Sequence, residues 1–76
     1  MNNNILTYLN PGCRATVTGL KTKDSMRRRL QDMGVIEGTN IECVMKSPCG
    51  DPKAYLIRGA VVAIRSEDSD NILIEM

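Results

Sequence analysis

The sequence predicts a mostly β protein: a small antiparallel barrel with one short helix inserted after its first strand, built as a single domain over residues 1–76. Three observations carry this. Five short segments alternate apolar and polar residues at the period of a strand. One stretch instead repeats its apolar residues at helical spacing, and Gly, Pro, Asn and Asp punctuate the joints. A chain this short hides only about 60% of the surface its unfolded form exposes, and a closed sheet removes edges it has no other means to guard.

Residues 1–4 read as a polar lead-in and Asn10-Pro11-Gly12 as a turn into a first strand, where Cys13, Ala15 and Val17 share one face. Gly19 ends that strand. Asp24 or Ser25 can then accept hydrogen bonds from the free amides of a helix running to about residue 33. Met26, Leu30 and Met33 form its apolar stripe, and so short a helix holds only if that stripe lies on the strands. Gly34 supplies a left-handed C-terminal cap. Val35-Ile36-Glu37-Gly38 turns the chain into a second strand, where Ile41, Cys43 and Met45 alternate with Asn40, Glu42, Val44 and Lys46. Ser47-Pro48-Cys49-Gly50-Asp51-Pro52 is a loop. A third strand follows over residues 54–58, Gly59 breaks it, a fourth spans residues 60–65, and Glu67-Asp68-Ser69-Asp70-Asn71 turns into a last strand at Ile72.

Composition excludes several functions. The apolar 42% includes no Phe or Trp, so Ile, Leu, Val, Met and Ala make a dense core with no room for a cofactor pocket of several hundred Å³. No histidine is present, which removes the commonest general base and metal ligand. No catalytic residue, cofactor or metal ligand is therefore expected, and the chain does not read as an enzyme. Cys13 and Cys43 read as small buried hydrophobes, and Cys49 as an exposed thiol. With no secretion segment ahead of them, the cysteines are expected to be reduced in the cytoplasm. The longest apolar runs fall far short of the roughly 20 residues a bilayer requires, so neither crossing nor lipid insertion is expected.

What remains is a surface for binding. Arg27, Arg28 and Arg29 fan around the helix, each offering a guanidinium fork for carboxylate or phosphate. Beside them, Met33 and Val35 flank Gly34 as an apolar dock. Pro48 and Cys49 offer a second contact on a loop whose ordering two prolines make cheaper. The set expected to bind a partner is thus Arg27, Arg28, Arg29, Met33, Val35, Pro48 and Cys49. A net charge of +1 and only two tyrosines disfavour nucleic acid as that partner.

Taken in order, Arg28-Arg29-Leu30, Met33-Gly34-Val35, Gly38-Thr39, Ile41, Pro48, Gly50-Asp51-Pro52, Gly59, Val62-Ala63-Ile64-Arg65, Ile72 and Ile74 resemble the FeoA family of bacterial ferrous-iron transport proteins. The resemblance implies an SH3-like barrel and a cytosolic accessory protein of the membrane transporter FeoB, peripheral to the membrane through that partner. It further implies that Leu30, Met33 and Val35 join helix to barrel, that Gly34 and Gly38 shape the turn, and that Gly50-Asp51-Pro52 forms an inter-strand loop. The same barrel is similar to the C-terminal domain of DtxR-type repressors, so a small nucleic-acid-binding or metal-responsive regulatory domain stands as the alternative. Self-association through a sheet edge stays open.

Overall fold

A computed structural model describes residues 4–76; the first three residues of the expected polar lead-in lie outside the described residues. Five strands form one antiparallel sheet in the order β4-β3-β2-β1-β5. They are β1 (Arg14–Leu20), β2 (Asn40–Lys46), β3 (Lys53–Ile57), β4 (Ala60–Ile64) and β5 (Ile72–Glu75), with α1 (Asp24–Asp32) between β1 and β2 and α2 (Ser66–Ser69) between β4 and β5. This is the SH3-like barrel that the sequence analysis expects. A 3-10 turn at Leu6–Tyr8 precedes β1 and was not foreseen; it places Leu6 and Leu9 in the core.

The core fills as the apolar count requires. Ala15 and Val17 from β1, Ile41 and Cys43 from β2, Tyr55 and Ile57 from β3, Ile64 from β4, and Ile72 and Ile74 from β5 are all buried, and Leu30 and Val35 join the same cluster.

Further departures from the sequence reading lie in the sheet and its connections, beginning with β1, which runs past Gly19 to Leu20 and pairs Gly19 with Leu73. Met45 does not share the inward face of Ile41 and Cys43, because the β2–β3 register shifts between Cys43 and Met45 and the bulge turns Met45 outward, 57% exposed. Arg58 belongs to the hairpin turn: Arg58 and Gly59 adopt φ of 52° and 87°, the two-residue geometry that matches strand twist. Residues 66–69 are helical rather than a plain turn. Finally, hydrogen bonding does not run right round the barrel among the described residues. The outer flank of β5 meets Ile5 through a bridge at Leu73, whereas β4 pairs only with β3. β4 carries no charge, and its Val61 is 64% exposed.

Candidate functional site

Helix α1 is held by its apolar stripe, with Leu30 wholly buried and Met26 and Met33 packed half-buried against the core. Its start differs from expectation. Neither Asp24 nor Ser25 caps it, the N-cap position is Lys23 with no side-chain hydrogen bond, and Asp24 sits in the left-handed region at φ 59°. Asp tolerates that region better than most residues. The other end is tightly specified. The Gly34 N–H donates to the Gln31 carbonyl and the Val35 N–H to the Leu30 carbonyl, both at 3.0 Å, while Val35 and Leu30 bury against each other's surroundings at 0% exposure. This is the Schellman arrangement, and it needs the left-handed residue that Gly34 supplies at φ 98°. A Cβ on Gly34 would meet Arg58 Cδ at 3.2 Å and Ile57 Cγ2 at 3.3 Å, so the Arg58 stem lies directly over the elbow.

That anchorage decides which arginines are available. Arg27 and Arg28 are exposed and enter neither of the ion pairs found among the described residues. Arg29 instead reaches Asp68 of α2, its Nη2 donating to Oδ1 at 2.6 Å. Asp68 keeps only 13% of its side-chain surface exposed, so the carboxylate holds Arg29 from a largely desolvated position. The acidic run at residues 67–70 therefore neutralises part of the basic cluster.

α2 also ties down the second predicted contact. The Asp51 carboxylate accepts from the Ser66 N–H at 2.8 Å and from the Ser66 hydroxyl at 3.3 Å, satisfying an amide at the helix start. Thr7 bonds to Ser69 at 2.6 Å and also donates to Asp70, and Lys53 donates to the carbonyls of Thr7 and Leu9. The loop between β2 and β3 is thus pinned from inside at Asp51, while Pro48 and Cys49 stay exposed. Burial pushes the Tyr55 phenol well above its ordinary value, and likewise raises the Cys43 thiol, partly offset by Lys53. Both groups stay neutral inside the barrel.

Next to the elbow lies an open depression of about 480 Å³ lined by Ile36, Glu37, Gly38, Thr39, Asn40 and Arg58. Ile36 is 38% exposed there, an apolar spot between an acid and a base. Sequence reasoning missed both Ile36 and Arg58 as surface groups. The signal for Arg58 was present, since Arg58-Gly59 separates two apolar runs by two residues, the spacing of a tight hairpin.

Of the predicted contact residues, Arg27, Arg28, Pro48 and Cys49 present open surface, and Arg29 does so only beyond its ion pair. Val35 requires correction: at 0% exposure it belongs to the core, because the helix cap folds it inward onto Leu30. Met33 is half-buried and serves the same junction. The exposed apolar residue at the elbow is therefore Ile36, beside Arg58, rather than Val35. Among the described residues no group of three or more His, Cys, Asp or Glu is placed to hold a metal ion, and no helix is long and apolar enough to cross a membrane.

The chain matches the FeoA domain family over residues 5–76. It is 31% identical over 71 residues to an Fe(2+) transport protein A/Fe(2+) transporter FeoB fusion protein of Porphyromonas gingivalis, covering 93% of this chain and 8% of that protein. It superposes on iron(II) transport protein A of Clostridium thermocellum with a TM-score of 0.92 at 30% identity, over 95% of this chain and 44% of that one. The FeoA-like protein of Clostridium acetobutylicum gives a TM-score of 0.89 at 32% identity, with 100% of this chain and 90% of that chain covered. The chain thus spans a small part of the fusion relative and less than half of the first of these structures.

Proposed function

The chain belongs to the FeoA domain family, and from that membership we propose that it serves ferrous-iron uptake as a non-catalytic accessory module that binds and modulates the cytosolic part of an FeoB-type transporter. The observation that carries this reading is the P. gingivalis fusion, in which a segment similar to this chain is joined to FeoB in one polypeptide. Fusion of that kind raises the effective concentration of two modules that work together.

The contact we assign is the outer face of α1, through Arg27 and Arg28, with the elbow depression at Ile36 and Arg58 and the exposed loop tip at Pro48 and Cys49. Guanidinium groups that enter no ion pair among the described residues are ready to form paired, charge-assisted bonds to carboxylates. Ile36 adds the apolar centre that such a polar rim encloses. The proposed site lies in the cytoplasm, peripheral to the membrane through its partner.

Calorimetric titration of the chain against the cytosolic portion of its cognate FeoB tests the reading. Loss of a charge-assisted pair costs about 1.5–3 kcal/mol, so Arg28→Glu should weaken binding by roughly ten- to a hundredfold. Equal affinity of the two chains would remove α1 from the contact, and no binding by the wild-type chain would refute the partnership.

A further inference from the structure

Beyond the ladder that ends with Arg14 opposite Glu42, Gly12 and Cys13 together face Cys43. The Gly12 N–H donates to the Cys43 carbonyl at 2.7 Å, and the Cys43 N–H donates to the Cys13 carbonyl at 3.0 Å. Gly12, at φ 90°, is the first residue of a glycine bulge fed by the preceding turn, in which the Cys13 N–H returns to the Asn10 carbonyl at 3.0 Å. Two and four residues on, Ala15 and Val17 are buried, as is Ile41 two residues before Cys43, so both cysteines stand on the core side of the sheet. Cys43 is wholly buried there, and Cys13 is half-buried against the same core.

Directly opposed residues of neighbouring antiparallel strands hold their Cβ atoms about 4.5–5.5 Å apart. A disulfide needs about 3.5–4.5 Å, and a hydrogen-bonded pair stands toward the wider end of the ladder range, so the bond closes on a local approach of about 1–2 Å. All three cysteines are free thiols, and the third, Cys49, is exposed beyond the end of β2 with no cysteine opposite it in any ladder.

We propose that Cys13 and Cys43 are a reversible thiol–disulfide pair, oxidised by a low-molecular-weight disulfide such as oxidised glutathione. Cys13, the accessible member, attacks one oxidant sulfur as its thiolate and expels the first glutathione thiolate. The neutral Cys43 thiol then gives up its proton as its sulfur attacks the Cys13 sulfur of the mixed disulfide and expels the second. Two electrons pass to the oxidant, and the two protons the cysteines lose end on the two released thiolates. The new bond closes a loop holding β1, α1 and the elbow, which joins the ends of the segment that carries the arginines. This chemistry does not depend on the identity of the transporter partner.

The test is thiol mapping of the folded chain. The reduced protein is incubated with excess oxidised glutathione, quenched in acid, alkylated with N-ethylmaleimide and digested with trypsin without reductant. Cleavage after Arg14, Arg29, Lys46 and Lys53 leaves each cysteine in its own peptide. The proposal expects a cross-linked pair of peptides 1–14 and 30–46 in the wild type, and in Cys49→Ser a fall from two free thiols to none with no bound glutathione. The same oxidation in concentrated urea should lose this selectivity and draw Cys49 into links. A stable glutathione adduct on Cys13 with Cys43 still a thiol would overturn the proposal, as would links to Cys49 predominating in the folded protein.

Discussion

Replacing Gly34 with alanine should destabilise the fold more than the same change at any other elbow position. Two terms add. An alanine held at φ 98° carries left-handed strain of about 1–3 kcal/mol, less the roughly 0.5 kcal/mol by which alanine restricts the unfolded chain. Its Cβ also arrives 3.2 Å from Arg58 Cδ and 3.3 Å from Ile57 Cγ2. The arginine stem is exposed and can swing aside, but Ile57 is packed in the core at 2% exposure and yields only by disturbing its neighbours. Overpacking of that kind costs about 1 kcal/mol or more. The expected loss is about 2–3 kcal/mol, and at about 4–8 °C per kcal/mol for a domain of this size the melting temperature should fall by about 10–20 °C. Gly38→Ala is the control. Gly38 has nearly the same φ, 92°, but no atom within 4 Å of the added Cβ, so it carries the strain without the overpacking and should lose about 1 kcal/mol less than Gly34→Ala. Urea unfolding followed by far-ultraviolet circular dichroism measures both. Equal losses at the two positions would show that the close approach of Arg58 and Ile57 is not what fixes the elbow, and no loss at either would refute the left-handed geometry.

Further predictions concern the polar framework. Removing the Arg29–Asp68 pair with Arg29→Ala should lower stability by about 0.5–1 kcal/mol, and added salt should shrink the difference; a salt-independent effect would locate the loss in packing instead. Asp51→Ala should cost about 1 kcal/mol by leaving the α2 amide uncapped, read by the same urea titration. The Tyr55 phenol is neutral in the fold because burial raises its pKa, whereas the unfolded chain ionises it near its ordinary value of about 10. Its share of stability is thus complete below about pH 10 and drains away as pH climbs toward the raised value, at up to about 1.4 kcal/mol per pH unit. Tyr55→Phe should flatten that alkaline decline, and an unchanged slope in the variant would contradict the burial argument.

Regular elements with a clear period were legible in the sequence, and departures from periodicity were not. The inward alternation of Ala15 with Val17 and the Leu30 stripe could be read directly, as could Gly34 at the helix end. The bulge that turns Met45 outward leaves no mark, since a bulge is set by the pairing partner rather than by local residues. α2 was hidden because Ser66-Glu67-Asp68-Ser69 carries only turn formers and acids, and its helicity depends on Asp51, which lies in a different loop. The missing cap at Asp24 shows the limit of propensity: a residue type suited to an N-cap was present, but the incoming chain held it in a left-handed conformation. Of the residues proposed for binding, the exposure of Arg27 and Arg28 followed from the helical reading, while burial of Val35 and exposure of Ile36 depended on the Schellman turn at the helix end.

Amide chemical-shift mapping on the isotope-labelled chain, titrated with the cytosolic portion of its cognate FeoB, tests the central claim most directly. Shifts should concentrate on the exposed residues of α1, on residues 36–40 and at Arg58, with the buried β1 and β5 amides little moved. Shifts confined to the open β4 edge, or none at saturating partner, would contradict that claim.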